Sequence, residues 1–239
     1  MYIDLMISKD HINKEKLKGK TVVVIDMLRA TSVIVTALNN GCSRVIPVVS
    51  VENAFDIVNK KGDNYRKEFI LGGERKALKI EGFDFTNSPL EYTREAIAEK
   101  TLVITTSNGT WAIKNSEAAS HILIGAMINA RAVARKCCEI GQDVIIVNAG
   151  TNGEFSMDDF ICGGYIIENI KQLHMDVQLS DLSRTANIIY KEHEDIESFI
   201  CNATHYNRMK ELNLDDDLSY CMQKDIIDYV PTYYDGVIK

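Results

Sequence analysis

The sequence predicts an α/β fold whose strands are mostly parallel, and three observations support this. Short runs of β-branched residues, such as Thr21 to Ile25 and Thr101 to Ile104, have the composition of strands buried on both faces. Segments with apolar residues at helical spacing follow these runs. Several runs end in a polar or glycine-rich turn, which is typical of the carboxyl ends of strands in open α/β sheets.

Size and composition describe an ordinary globular chain that is long enough for a substantial core. Its 239 residues are 46% hydrophobic and 26% charged, and no linker or repeat divides them, so we predict one domain over residues 1–239. The formal charge of −7 argues against a nucleic-acid partner. Because no apolar run reaches the roughly 18 to 20 residues that span a bilayer, and no signal peptide is evident, we expect no membrane partner and a cytoplasmic location.

Cysteine and histidine spacing predicts neither disulfides nor zinc. The six cysteines are scattered without a Cys-x-x-Cys pair, and the five histidines lack the i, i+4 spacing of zinc ligands on a helix. Free thiols are therefore expected. A homodimer is expected only because it is the commonest oligomer.

The first clear unit is a buried strand, a polar turn and a helix that ends near Gly41. The strand ends at Asp26, and the turn holds Arg29, Thr31 and Ser32. At a strand end beside a helix N-terminus, Asp26 can hold a cation and Arg29 a carboxylate, sulfonate or phosphate. The alternative is that Asp26 caps the helix while Arg29 forms a surface ion pair. The segment by itself leaves both interpretations open.

Further elements follow from the same patterns. Strands are predicted at residues 44–49, 69–71, 121–124 and 143–147. Helices are predicted at residues 51–58 ending before Gly62, at 129–139 ending at Gly141, at 156–173, at 183–191 and at 196–212. The chain from about residue 181 is therefore a helical C-terminal part, and residues 230–238 are expected to form an edge strand or an extended tail.

A second acid, after Asp26, appears at the exit of the strand at residues 69–71. Glu74 comes directly after two glycines that permit close backbone approach, and Arg75 follows it. The loop from 76 to 87, which carries Asp84 and Asn87, is long enough to be functional or mobile.

Two further exits are rich in groups that bind anions or cations. After the strand at residues 101–104, Thr106, Ser107, Asn108 and Gly109 can form a nest of N–H and O–H donors for a phosphate or sulfonate, although an Asn-Gly pair also marks an ordinary turn. After the strand at residues 143–147, a glycine-rich segment carries acids and hydroxyls: Glu154, Ser156 and Asp158.

Helix capping explains several polar residues without any catalytic role. Ser88, Pro89 and Glu91 have the pattern of an N-cap, a first helical position and a capping box. The acidic run from Asp215 to Asp217 is expected to cap the helix after it.

The case for a functional site is stronger when these strand ends are considered together, because parallel strands place their carboxyl ends on one edge of a sheet. That edge would hold carboxylates suited to Mg²⁺ and donors suited to phosphate, so magnesium-assisted phosphate chemistry is the leading hypothesis. The sequence lacks a phosphate loop, a dinucleotide-binding glycine loop and a nucleophile elbow. The alternatives are a non-catalytic protein that binds anionic metabolites, and a lyase or transferase using the same metal logic.

Four segments, in their order and spacing, resemble one family. VVVIDMLRATSVI, GGERKALKIEGFDFTNSPLEY, ITTSNGTWA and VIIVNAGTNGEFSMDDFICGG are similar to motifs of 2-phosphosulfolactate phosphatase, the magnesium-dependent phosphatase of coenzyme M biosynthesis. The resemblance implies a three-layer α/β/α fold with a mixed sheet. It also implies hydrolysis of 2-phospho-3-sulfolactate, or a closely related small anionic phospho-acid, to sulfolactate and phosphate.

The resemblance also implies roles for the residues in these motifs. Asp26 and Arg29 would be catalytic, with Asp26 the best candidate nucleophile. The implied metal ligands for Mg²⁺ are Asp26, Glu74, Asp84, Glu154 and Asp158. The implied substrate-binding residues are Thr31, Ser32, Arg75, Asn87, Thr106, Ser107, Asn108, Gly109 and Ser156.

Overall fold

The computed structural model describes residues 1–60, 67–193 and 195–239. Eleven strands within these residues form one mixed sheet. Numbered along the chain, they are β1 (Tyr2–Met6), β2 (Thr21–Ile25), β3 (Arg44–Pro47), β4 (Phe69–Arg75), β5 (Leu78–Lys79), β6 (Thr101–Thr105), β7 (His121–Gly125), β8 (Val144–Asn148), β9 (Gln178–Leu179), β10 (Thr232–Tyr234) and β11 (Val237–Ile238). Their order across the sheet is β5-β4-β6-β3-β11-β10-β7-β2-β8-β1-β9.

The described ranges also contain eleven α-helices. They are α1 (Lys14–Leu17), α2 (Ala30–Asn39), α3 (Val51–Asn59), α4 (Arg94–Ile97), α5 (Gly109–Asn115), α6 (Ala130–Ile140), α7 (Met157–Leu173), α8 (Asp181–Glu192), α9 (Ile196–Ile200), α10 (Thr204–Glu211) and α11 (Asp215–Cys221). Within the described ranges, none of them combines the length and the apolar character needed to cross a bilayer.

The sheet consists of two groups of parallel strands. The first group contains β7, β2, β8, β1 and β9, and the second contains β3, β6 and β4. The hairpin of β10 and β11 lies between them and pairs antiparallel with β7 on one side and β3 on the other. Because three antiparallel pairings separate β7 from β3, the two groups run in opposite senses along the ladder.

Alternation along the strands directs apolar side chains to both faces of the sheet. In β2, Val23 and Ile25 pack in the cluster that contains residues of α6 and α7, whereas Val22 and Val24 pack in the cluster that contains residues of α2 and α5. Helix α3 packs on the second group of strands. Helices therefore cover both faces of a mostly parallel, mixed sheet, which confirms the predicted α/β class. Helices α2 and α5 each contact strands of both groups.

The position of the C-terminal hairpin corrects the expectation of an edge strand or an extended tail. Asp235 and Gly236 both have positive φ, 48° and 82°, as a two-residue type I′ turn requires. Asp-Gly is a dipeptide that favours this turn, and it is the sequence signal for the hairpin. Pro231 by itself favours an edge strand, because proline has no N–H to donate to a neighbouring strand. It precedes β10, however, and its carbonyl accepts a hydrogen bond from the N–H of Ile124 at 2.9 Å.

Other boundaries agree closely with the prediction, with two differences. The segment predicted as one helix over residues 196–212 is two helices, α9 and α10, separated where Ala203 adopts an extended conformation with ψ of 144°. This break allows apolar residues of both helices to reach one core cluster. Helix α3 ends at Asn59, and the predicted stop at Gly62 lies outside the described residues.

Asp217 does more than cap α11. The helix begins at Asp215, as expected, but the Asp217 side chain is only 4% exposed and forms an ion pair with Arg29, which is equally buried. The Asp217 carboxylate also accepts a hydrogen bond from the Ser88 hydroxyl at 2.5 Å. This buried network joins the C-terminal helices to the turn after β2.

The capping box predicted at Ser88 is therefore wrong. Residues Pro89–Glu91 form a single 3₁₀ turn, and the Ser88 hydroxyl donates to Asp217 instead of capping it. The Glu91 carboxylate turns back to accept hydrogen bonds from the N–H and the hydroxyl of Thr86. A tertiary partner for Ser88 and a partner five residues earlier in the chain for Glu91 replace the local cap.

The hairpin turn should be sensitive to the residue at position 236. Gly236→Val places a β-branched residue at a φ of 82° and should reduce the free energy of unfolding by about 1–2 kcal/mol in urea denaturation. Gly236→Asn is the matched control, because asparagine tolerates left-handed backbone, and it should cost distinctly less. Equal stability of the valine variant and the wild type would contradict the left-handed backbone conformation of residue 236.

The buried ion pair should contribute strongly to the attachment of α11. Asp217→Asn leaves the Arg29 charge without its partner in the interior and should destabilise the protein by about 3 kcal/mol or more. Asp216→Asn, on the adjacent exposed residue, should change stability by less than about 0.5 kcal/mol. Urea denaturation of the two variants checks this, and similar losses in both would contradict the buried pair.

Candidate active site

A cavity of about 440 Å³ lies at the carboxyl ends of β2, β4, β6 and β8. Strands of both groups contribute to it, although the groups run in opposite senses along the ladder. Asp26 and Glu74 therefore share one site, as expected, but they do not share the edge of a single parallel sheet. The cavity is lined by Asp26, Leu28, Arg29, Glu74, Lys76, Ala77, Asn87, Ser107, Asn108, Thr151, Asn152, Thr204, His205 and Arg208.

Asp26 is the first residue after β2, and its partly exposed side chain faces the cavity. One carboxylate oxygen, Oδ1, accepts a hydrogen bond from the N–H of Ala30 at 3.3 Å. The Thr31 hydroxyl donates to the Asp26 carbonyl at 2.9 Å and holds the turn. Gly109 packs against the other carboxylate oxygen so closely that a Cβ at position 109 would lie 2.7 Å from it. Glycine is therefore required at this first position of α5.

Burial raises the pKa of Asp26 to about 6. The charge of His205 and the N–H of Ala30 lower this pKa, whereas the carboxylates of Asp158 and Glu74 raise it. Asp26 is therefore ionised at neutral pH but poorly solvated. Such a carboxylate gains from contact with a cation, and perturbed acids of this kind cluster at functional sites.

Glu74 joins the exits of two neighbouring strands. Its Oε1 accepts a hydrogen bond from the N–H of Ser107 at 2.7 Å, and its Oε2 accepts one from the N–H of Ala77 at 2.8 Å. The strand β4 extends through Arg75, so Glu74 lies inside the strand end and not beyond it. Gly73, with a φ of 138°, allows this approach, because a Cβ there would lie 2.0 Å from the Thr105 carbonyl oxygen. The close backbone contact predicted for this glycine is confirmed.

Arg29 lines the same cavity, and two groups of the protein hold its guanidinium in place. Its guanidinium pairs with Asp217 and also donates to the carbonyl of Ala77 at 3.4 Å. The peptide bond between Leu28 and Arg29 is cis. The alternative of a surface ion pair is excluded, because both Arg29 and its partner are buried.

The oxygen atoms facing the cavity fit a hard divalent cation. Asp26 and Glu74 supply carboxylates, and Asn87 adds a buried side-chain oxygen, Oδ1, that has no hydrogen-bond partner. Mg²⁺ is usually bound by one or two carboxylates together with waters and substrate phosphate. Over the described residues, no three His, Cys, Asp or Glu side chains are arranged as a closed metal cluster. The donor set is thus that of an open site completed by other ligands.

Two predicted residues of the second motif do not line the cavity. Asp84 accepts a hydrogen bond from the N–H of Leu71 at 2.9 Å and so binds the backbone of β4. The Arg75 guanidinium donates to the Thr105 hydroxyl at 2.9 Å and to the carbonyl of Glu74 at 2.7 Å. Both side chains reinforce the strand end that carries Glu74.

The acids predicted in the fourth motif are also placed outside the cavity. Glu154 is exposed on a turn whose backbone bonds with Thr151, which itself lines the cavity. Asp158 is buried and accepts a hydrogen bond from the Ser156 hydroxyl. Asp158 is nevertheless near enough to raise the pKa of Asp26. It acts on the site through its charge.

Several predicted hydroxyls are used within the turns themselves. The Ser32 hydroxyl donates to the carbonyl of Met27 at 2.8 Å, and Thr106 exchanges hydrogen bonds with Thr110 in α5. Of the predicted donor nest at residues 106–109, the part that lines the cavity is therefore Ser107 and Asn108.

Asp159, a neighbour of a predicted ligand, was overlooked as a functional residue. Its Oδ1 accepts a hydrogen bond from the N–H of Met27 at 2.9 Å, and its Oδ2 accepts one from the N–H of Gly150 at 3.0 Å. It thereby fixes the turns after β2 and β8 to each other. Burial raises the pKa of Asp159 well above its ordinary value, and the nearby acids Asp158 and Asp26 add to this. The acid pair in the first turn of α7 was the available signal.

Helix α10 contributes residues that sequence reasoning missed entirely. Thr204, His205 and Arg208 lie on this helix and line the cavity. His205 and Arg208 are three residues apart, so they share a helix face. The spacing was visible in the sequence, but nothing in it indicated that the C-terminal helices reach the strand ends.

The chain matches known proteins over almost its whole length. The model of the 2-phosphosulpholactate phosphatase family matches residues 6–236. A probable 2-phosphosulfolactate phosphatase of Clostridium novyi (strain NT) is 59% identical over 234 residues, which cover 98% of this chain and 97% of the relative. Proteins of the same name from Clostridium acetobutylicum and Clostridium tetani are both 58% identical, over 238 and 239 residues, with 100% of each chain covered.

The matched residues include the four motifs, all residues that line the cavity and the C-terminal helices. On this agreement of sequence over nearly its full length, the chain belongs to the 2-phosphosulfolactate phosphatase family.

Proposed function

We propose that the protein is a magnesium-dependent phosphatase that hydrolyses 2-phospho-3-sulfolactate, or a closely related small phospho-acid, to the hydroxy-acid and phosphate. The observation that carries this proposal is the setting of Asp26. It is an ionised carboxylate, partly exposed at the base of a cavity that also holds cationic side chains and the Ser107-Asn108 turn. The names of the relatives support the same reaction.

Some residues of the site would bind the phosphoryl group, and others would bind the metal ion. The amide groups of Asn108 and the guanidinium of Arg29 would hold phosphoryl oxygens, with Arg29 kept rigid by Asp217. The N–H and hydroxyl of Ser107 donate to Glu74 and hold that carboxylate at the cavity. Asp26, Glu74 and Asn87 would hold the magnesium ion. Bound Mg²⁺ supplies neutralisation of the phosphoryl charge.

Two roles are open to Asp26 in this geometry. As a nucleophile, its carboxylate would form a bond to phosphorus while the bond from phosphorus to the substrate's C2 oxygen breaks, and that oxygen would leave with the bonding electrons and take up a proton from solvent. Water would then hydrolyse the acyl phosphate, which releases phosphate and restores the carboxylate. As a metal ligand alone, it would leave the attack on phosphorus to water. Trapping with hydroxylamine during turnover distinguishes these, because an acyl phosphate is converted to a stable hydroxamate.

The net charge of −7 and the size of the cavity support a small-molecule substrate and no nucleic-acid partner. A cytoplasmic location and a homodimer remain part of the proposal.

A phosphate-release screen tests the reaction class. Small phosphorylated hydroxy-acids, including 2-phospho-3-sulfolactate, are incubated with purified full-length protein, with Mg²⁺ or with chelator. We expect phosphate release that chelator removes and added Mg²⁺ restores, together with calorimetric binding of MgCl₂ to the metal-free protein. Tight binding of sulfolactate that is insensitive to chelator, with no phosphate released from any acid, would instead identify a non-catalytic binding protein.

Asp26→Asn should separate activity from stability. Phosphate release should fall by a factor of about 10³ or more, because the variant loses the charge needed for attack or for metal binding. The folded pKa of about 6 exceeds the ordinary value of 3.8, so ionising Asp26 costs stability as the pH rises above about 4, and fully above about 6. In chelator, the variant should therefore have a higher Tm than the wild type at pH 8, with the difference vanishing near pH 4. Near wild-type turnover would remove Asp26 from the mechanism.

A further inference from the structure

The cationic groups around the cavity are not equivalent. Arg29, Lys76, His205 and Arg208 line it together. The charge of Arg29 is already balanced by the buried carboxylate of Asp217. The positive charge that remains for a ligand therefore comes largely from Lys76, on the exposed turn after β4, and from α10.

Helix α10 is the source of this charge that is anchored in the core. Its residues Tyr206 and Met209 are buried in the core cluster that also contains residues of α6 and α7. Among the residues that the structure describes, Arg208 pairs only with Glu211, in an exposed i, i+3 ion pair whose two side chains are 43% and 66% exposed. Such a pair is weak and readily exchanged for a ligand anion. His205 is close enough to lower the pKa of Asp26, which places it near the reacting end of the cavity.

The proposed substrate carries more anionic groups than the strand ends can neutralise. Its phosphate is assigned to the region of Asp26, Ser107 and Asn108, and this leaves a carboxylate and a sulfonate. A guanidinium binds a sulfonate or carboxylate through parallel N–H donors, which fix its orientation as well as its charge.

We propose that α10 forms the subsite for the substrate's second strong anion, with Arg208 binding the sulfonate and His205 lying between it and the phosphate. This inference rests on the proposed function and assigns a specificity-determining role that the four sequence motifs do not contain. It makes the C-terminal helical part the element that selects sulfonated over plain phospho-acids. The turns after the strands then bind the phosphate that is hydrolysed, and α10 determines which phospho-acid is preferred.

The test uses binding of the product and its analogue, so that it does not depend on turnover. Calorimetry with full-length protein measures the affinity for 3-sulfolactate and for lactate, which lacks the sulfonate. The wild type should bind 3-sulfolactate at least about tenfold more tightly. Arg208→Gln should weaken 3-sulfolactate binding by about tenfold or more and change lactate binding by less than about twofold. Arg208→Lys, which keeps the charge but loses the fork, should show an intermediate loss.

Arg184→Gln is the matched control, because it removes the same charge from an exposed position on α8 that does not line the cavity. It should leave both affinities unchanged. Equal weakening of both ligands by Arg208→Gln, no change in either, or a wild type without preference for the sulfonate would each overturn the subsite.

Phosphate release from 2-phospho-3-sulfolactate and from 2-phospholactate, measured on the same variants, keeps the two proposals distinct. Arg208→Gln should raise KM for the sulfonated substrate and leave kcat nearly unchanged, with little effect on 2-phospholactate. If no acid releases phosphate, the proposed function fails, and the calorimetric preference still decides the role of α10.

Discussion

The structure depends on the partnering of charges that are buried where the strands end. A charged or polar group removed from water is costly unless another group satisfies it, and each such residue finds partners on other elements or turns. Arg29 after β2 pairs with Asp217 of α11. Glu74 accepts N–H groups from the turns after β4 and β6, and Asp159 of α7 accepts N–H groups from the turns after β2 and β8. These bonds fix four turns and two helices around one cavity.

Asp26 differs from these residues, and the difference defines the site. Within the described part of the chain it forms no ion pair, and it lies among other acids that raise its pKa. The surrounding bonds therefore hold the Asp26 carboxylate in place in the cavity. A site of this kind is prepared for a ligand that brings its own positive charge or electrophilic centre, and it costs stability until that ligand arrives.

The C-terminal part completes both the sheet and the site. Its last strands join two parallel groups that would otherwise each expose an edge. Its helices pair Asp217 with Arg29 and bring His205 and Arg208 to the cavity that Asp26 also lines. The turns after the strands and the C-terminal helices thus reach the same cavity from different parts of the chain, so the site is complete only when the C-terminal part is packed against the sheet.

Local patterns in the sequence determined the strands, most helices and the identity of Asp26 and Glu74 as acids at strand ends, because these depend on periodicity and on neighbouring residues. The sequence did not reveal that β10 and β11 lie in the middle of the sheet, or that Asp217 and Arg208 belong to the site. Those facts depend on contacts between residues far apart in the chain, which leave no periodic signal. Only the tertiary structure decided which polar groups face the cavity and which, like Asp84 and the hydroxyls of the turns, satisfy nearby backbone, because burial and the choice of hydrogen-bond partner are settled by packing.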